Sequence, residues 1–229
     1  MKRFYKTTAA EQRVGGAVVL LDGRVLKTPA KRDMMLPNLA LAQAIAEEWA
    51  AQGESIQPQT MPLMKLAATA LDRVAIDASH ATADIVRYSG SDLLCYRADM
   101  QAELALRQEE VWQPLLDWFQ GRYDLTLRIT KSIMAVEQPP ELADRLHRLC
   151  AGLDPLRLTA LHTATTVCGS VVIGLALLEG HLSSDAAYEA AFLDELHQAG
   201  LWGEDEEAAE RRADLKAEIA ALERFLKLL

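Results

Sequence analysis

From Leu158 to Leu178 the chain runs for 21 residues without an Asp, Glu, Lys or Arg. A stretch that long and uncharged either spans a bilayer or is enclosed by the rest of the protein. Thr159, His162, Thr163, Thr165, Thr166 and Ser170 lie within it, together with Gly169 and Gly174. Those polar groups make bilayer insertion unfavourable. The expectation is therefore a buried central helix. Asp154-Pro155 gives its start signal and Gly180 its stop. A helix that is apolar all round must be surrounded, and its small residues let neighbours come close.

The rest of the pattern supplies those neighbours. From Pro62 onward the chain reads as helical, with segments predicted at Pro62 to Ala78, Ala81 to Tyr88, Gln101 to Gln120, Pro140 to Gly152 and Asp185 to Ala199. Pro62 suits a first helical position, and Ser184 is a cap residue. Pro114 should kink or divide the fourth of the chain's helices. The last helix starts near Asp205. Its Leu215, Ile219, Leu222, Leu226 and Leu229 are spaced 4-3-4-3, which fits a short coiled-coil seam or a terminal helix docked on its own domain.

Residues 1–61 read differently. Val14 to Leu21 is an apolar β-rich run, followed by Asp22-Gly23 and then Arg24 to Thr28, a strong hairpin signal. Arg3 to Thr7 and Met34 to Leu36 are candidates for further strands. Asn38 can cap a helix from Leu39 to Gln52, with Gly53 as its stop. Trp49 is placed to pack on the sheet. Leu125 to Ile129 could return as a strand to this part. The fold class is α+β: a small N-terminal α/β domain with an antiparallel hairpin over 1–61, then a larger all-helical domain over 62–229.

Composition excludes several functions. A net charge of −9 and a pI near 5.1 argue against nucleic acid, whose phosphates need a basic footprint. Cys95, Cys150 and Cys168 form no Cys-x-x-Cys pair, so neither a disulfide framework nor zinc is indicated, and a reducing compartment fits. No phosphate-binding loop, dinucleotide fingerprint or nucleophile elbow is present. Ser89-Gly90-Ser91-Asp92 reads as a turn with a helix cap. Asp144…His147 and Asp194…His197 have acid-x-x-His spacing, which can serve a two-metal bundle site. The apolar stripes Leu142/Leu146/Leu149 and Tyr188/Phe192/Leu196 turn all four groups away from the core, so no metal and no cofactor is expected. His162 reads as a hydrogen-bonded core histidine. Trp112, Trp118 and Phe119 read as core, with an apolar partner groove as the alternative.

Two stretches carry the functional reading. Trp202-Gly203-Glu204-Asp205-Glu206-Glu207 sets four consecutive acids behind a large aromatic. Carboxylates suit a helix start, with Glu207 and Arg211 placed for an i,i+4 pair. The sharper alternative is a contact patch for a basic partner surface, anchored by Trp202. The second stretch is Tyr88-Ser-Gly-Ser-Asp-Leu-Leu-Cys-Tyr-Arg-Ala98. Joined with Arg3-Phe4-Tyr5-Lys6, Leu21-Asp22-Gly23-Arg24, Glu47-Glu48-Trp49, Met61-Pro62-Leu63 and Glu179-Gly180-His181, these motifs resemble the assembly chaperones of the catalytic (F-one) sector of ATP synthase. The similarity is to the family that handles the α subunit, and it runs from Arg3 to the C-terminus.

The resemblance implies an ATP-independent chaperone. It would hold the unassembled α subunit before that subunit pairs with β, with no catalytic residue and no cofactor. It also marks an acid just after Trp-Gly as functionally sensitive. Trp202, Glu204, Asp205 and Glu206 are therefore the expected partner-binding residues. The chain is expected to be a soluble monomer without membrane insertion. Eukaryotic relatives would carry a mitochondrial targeting segment and work in the matrix. Met1-Lys2-Arg3-Phe4-Tyr5 shows none, which suggests the bacterial cytoplasm or a mature form. The competing reading is a helical-domain enzyme, possibly metal-dependent.

Overall fold

The computed structural model describes residues 1–132, 134–203 and 205–229. The chain divides into two units. The first comprises Met1–Ser79, Asp154–Ala160 and Arg224–Leu229, and the second His80–Leu153 and Leu161–Glu223.

A four-stranded sheet organises the first unit. Strand β2 (Gly16–Leu21) is its apolar centre, and every residue but Leu20 is buried. On one side it pairs antiparallel with β1 (Thr8–Arg13), Thr8 facing Leu21 and Arg13 facing Gly16. It also pairs antiparallel with the short strands β3 (Arg24–Val25) and β4 (Met35–Leu36). Asp22 and Gly23 both have positive φ, 48° and 75°, as a two-residue hairpin turn of the primed kind requires.

Two expectations about the strands are corrected. The strand before the hairpin is Thr8–Arg13, not Arg3 to Thr7. Its sequence, Thr-Ala-Ala-Glu-Gln-Arg, is mostly exposed, so an edge strand with polar side chains gave no apolar alternation to read. Val14 is fully exposed in the β1–β2 turn rather than in a strand. The turn uses Gly15 at φ 87°. At Gly16 a Cβ would fall 2.3 Å from the Leu36 carbonyl oxygen, so β4 can pair there only against glycine.

Helix α1 (Leu39–Ala50) covers the sheet. Asn38 caps it by accepting from Leu41 N at 2.9 Å, and its amide also donates to the Leu228 carbonyl at 2.7 Å. Trp49 is buried, as expected. The helix ends at Ala50, short of Gly53. Helix α2 (Pro62–Thr69) follows, begun by its proline and extended by a π-helical turn, Ala70–Val74.

The second unit is helical: α3 (Ser79–Ser89), α4 (Ala102–Tyr123), α5 (Pro140–Ala151), α6 (Pro155–Cys168), α7 (Val171–Leu178), α8 (Ser184–Ala191), α9 (Leu193–Trp202) and α10 (Glu206–Lys227). The first residue of α3 and parts of α6 and α10 belong to the first unit. Pro114 does not divide α4, which runs through it.

The uncharged stretch is two helices rather than one. Gly169 turns the chain at φ 64°. Ser170 then caps α7, accepting from Ile173 N at 3.1 Å. Nearly every α7 residue is buried. The close approach predicted from small residues is found at Gly174, where a Cβ would lie 2.7 Å from Thr165 Oγ1. Among the described residues, no helix is long and apolar enough to cross a membrane.

Three further readings change. The segment predicted as one helix over Asp185 to Ala199 breaks at Phe192 into α8 and α9, and Ser183, not Ser184, caps it by accepting from Ala186 N. Leu125 to Ile129 is not a strand. Its leucines 125 and 127 are buried, and the next residue, Thr130, bridges Tyr96 within the second unit. In α10, Ile219, Leu222 and Phe225 are fully buried in the chain itself, so the apolar spacing serves this protein's own core.

Candidate functional site

The residues expected to bind a partner lie at the α9–α10 junction. Trp202 ends α9 and is 75% exposed, beside Leu201 at 56%. Gly203, at φ 86°, turns the chain away from the helix axis. Asp205 then caps α10, its carboxylate accepting from Ala208 N at 3.0 Å. Glu206 and Glu207 are exposed in the first turn. Glu204 lies outside the described residues. The helix-cap reading and the contact-patch reading therefore separate by residue: Asp205 has a local structural job, whereas Trp202 and Glu206 present their side chains to solvent. Arg211 does not pair with Glu207. It pairs with Glu195 of α9, at 3.0 and 3.1 Å.

That ion pair sits on the wall of an open groove of about 680 Å³ in the second unit. Tyr88, Leu93 and Tyr96 line one part of it, and Phe192 and Leu215 another. The groove thus joins one of the stretches that carried the sequence reading, Tyr88 to Ala98, to residues on either side of the other, Glu195 and Arg211, while Trp202 and the acids after it are not among its lining residues. Glu195 and Trp202 are seven residues apart on one helix, about two turns or ~10 Å.

Asp92 holds the groove's floor in place. It is fully buried. Oδ1 accepts from Leu94 N at 3.0 Å, and Oδ2 from Val171 N at 2.7 Å and Val172 N at 3.4 Å. One carboxyl therefore caps both the turn after α3 and the N-terminus of α7. Leu93 N also donates to the Gly169 carbonyl at 3.0 Å. Burial pushes the Asp92 carboxyl up to about 6 from 3.8, against the lowering effect of its hydrogen bonds. The turn-and-cap reading of Ser89-Gly90-Ser91-Asp92 stands.

Most other motif residues are also structural. Glu48, buried, accepts from Leu63 N and Met64 N, both at 2.8 Å, and so caps α2. Desolvation raises its carboxyl. Asp22 accepts from Lys6 N and Thr7 N at 3.0 and 2.8 Å, and Tyr5 Oη donates to the Trp49 carbonyl at 2.6 Å. Glu179 accepts from Arg122 Nε at 2.7 Å and Tyr123 Oη at 2.6 Å. Burial would raise its carboxyl, but these partners hold it below the usual range. His181 stacks on Trp118 at 4.6 Å. Trp112 and Phe119 are completely buried, with Trp112 Nε1 donating to the Ala190 carbonyl at 2.8 Å. The core reading is realised at Trp112 and Phe119, whereas Trp118 is only half-buried.

The two acid-x-x-His pairs differ. Asp144 and His147 are exposed. His197, expected at the surface, is buried, because α9 is a separate helix whose facing is not set by the α8 stripe. Asp194 accepts from Gln108 Nε2 at 2.8 Å. A third group was not assembled by the sequence reading: His80, Asp84 and His162, whose ligand atoms lie within 4.8 Å of one another. His162, expected as a hydrogen-bonded core histidine, does bond Asp84 but is only half-buried. His80 and Asp84 have i,i+4 spacing, but His162 comes from a helix 78 residues further on. The three cysteines are buried and unpaired. Burial raises their thiols to about 12, 11 and 12 for Cys95, Cys150 and Cys168, so none is a ready nucleophile.

The exposed Trp–acid junction and the open groove are surfaces on which another protein can dock; the class, an assembly chaperone, is shown by the family to which the sequence belongs. The chain is a member of the ATP12 chaperone protein family, whose sequence profile matches residues 2–120. Atp12p of Paracoccus denitrificans is 41% identical and superimposes with a TM-score of 0.92, over 99% of this chain and 97% of that one. A mutant of that protein, with one aspartate changed to lysine, superimposes equally well at 0.92, with the same identity and coverage. The Schizosaccharomyces pombe protein named atp12, mitochondrial, is 28% identical over 96% of this chain and 80% of its own length. The helical-domain enzyme reading is overturned by this membership.

Proposed function

We propose that this chaperone binds the unassembled α subunit of the ATP synthase catalytic sector and withholds it from aggregation until it pairs with β. The observation that carries this is the α9–α10 junction. Leu201 and Trp202 are exposed apolar side chains close in sequence to Asp205 and Glu206. An aromatic anchor next to carboxylates suits a client surface that is apolar with a basic rim. The groove between Tyr88, Tyr96, Phe192 and Leu215 offers further apolar area, of the kind an assembly interface leaves uncovered. Glu204, next in sequence to this junction, is proposed to contribute with Trp202, Asp205 and Glu206.

Holding the client follows mass action: a binder of the unassembled interface lowers the population free to aggregate. Release follows when β offers a larger interface. No turnover and no cofactor enters. The protein is proposed to act as a monomer, in the cytoplasm of a bacterium.

The test is co-purification of tagged protein from cells expressing the α subunit, with light scattering of the free α subunit as a second readout. The expected results are a stoichiometric complex and suppressed scattering. Failure of both at micromolar concentrations rejects the reading.

A further inference from the structure

We propose that His80, Asp84 and His162 form a binding site for a divalent zinc-class ion that staples α3 to α6. His80 Nδ1 stands 3.4 Å from Asp84 Oδ2, and His162 Nε2 stands 3.0 Å from the same oxygen. The three atoms lie within 4.8 Å of one another. Around a tetrahedral ion with bonds of about 2.0–2.1 Å, ligand atoms are about 3.3 Å apart. Two of the three separations already match.

The remaining adjustment falls on the side chain that can make it. The His80 side chain is 85% exposed, whereas those of His162 and Asp84 are 28% and 15% exposed. His80 can swing without disturbing a core. The carboxylate is oriented from behind: Arg87 Nη2 donates to Asp84 Oδ1 at 2.8 Å, leaving Oδ2 for the ion. The His162 contact and the Arg87 ion pair hold the carboxylate in place from two sides. An ion bound here takes the place of the proton between His162 Nε2 and Asp84, and His162 then carries its proton on Nδ1.

Two imidazoles and one carboxylate select Zn²⁺, Co²⁺ or Ni²⁺ over Mg²⁺ or Ca²⁺, which prefer all-oxygen shells. Three protein ligands leave the fourth position for water. The ion would join helices that also wall the groove, since Tyr88 is on α3 and Thr166 on α6. Its role is structural, and the chaperone reading does not depend on it.

Chelator-stripped full-length protein titrated with ZnCl₂ in a calorimeter tests the site. One equivalent should bind, and the melting temperature should rise with zinc. Co²⁺ should give the visible bands of a tetrahedral N/O site. His80→Ala changes an exposed side chain and should fold normally while weakening zinc binding more than about tenfold. Asp84→Asn should do the same and abolish the zinc-dependent rise in melting temperature. Absence of stoichiometric binding to the unsubstituted protein overturns the proposal. So does unchanged affinity in both variants, which would place the zinc on other histidines.

Discussion

Asp92 shows how a motif can be demanding without touching a partner. Its carboxyl serves three backbone N–H groups from a fully buried position. Replacing it with Ala leaves those donors unmet and should cost about 1–3 kcal/mol or more. The pH dependence has a definite sign. The folded value, about 6, lies above the unfolded 3.8. The group's stabilising contribution is therefore fully present below 3.8 and is lost as pH rises through about 6. Asp92→Asn cannot titrate. Denaturant titrations of both proteins at pH 4 and pH 7 should show the wild-type advantage shrinking by about 2 kcal/mol at the higher pH. A constant difference would mean that Asp92 does not change protonation in this window. The cysteines make the opposite case. With thiols raised by burial, exchanging all three for Ala or Ser should leave client capture intact. The stability loss should be modest and additive, measured by melting temperature beside pull-down.

At the scale of elements, the α9–α10 junction allows cap and contact to be separated. Asp205→Lys removes an N-cap and should cost about 1 kcal/mol, while Asp205→Asn keeps the cap and removes the charge. Glu206→Lys should leave the melting temperature nearly unchanged and weaken α-subunit capture by about tenfold or more. If Asp205→Asn, Glu206→Lys and the corresponding Glu204 reversal all fold and capture the α subunit normally, the acids are only a helix start. The junction between α6 and α7 carries a second prediction. Gly169→Ala places a side chain at φ 64° and should cost about 1–2 kcal/mol, read by chemical denaturation. The sequence announced this region as uncharged and enclosed but not as broken. Its charge pattern is continuous, whereas the break is a backbone event at one glycine followed by a serine cap. Strand β2, its hairpin, α1 and α5 were legible because apolar period, turn residues and caps agreed. Strand β1 was not, because an edge strand of small and polar residues shows no apolar alternation. The Trp202 junction was legible as an exception to ordinary charge scatter. The groove was not, because it arises from segments about a hundred residues apart, Tyr88 to Tyr96 and Phe192 to Leu215.

For the whole molecule, the division into units is not a division of the chain into two lengths. The first unit includes Arg224–Leu229. Asn38 donates to the Leu228 carbonyl across 190 residues, and Arg224 meets Glu47 across 177. Phe225, in the same terminal segment, is completely buried. Removing residues 224–229 should therefore destabilise the N-terminal sheet, with faster amide exchange in Val18, Val19 and Ile45. If exchange accelerates only in α10, the terminal segment is an ornament on the sheet rather than part of it. The consequence reaches back to synthesis. A ribosome makes residues 1–79 well before residues 224–229, which belong to the same unit. Between those two moments of translation the first unit lacks part of its own packing, a condition like that of the client this chaperone is proposed to hold.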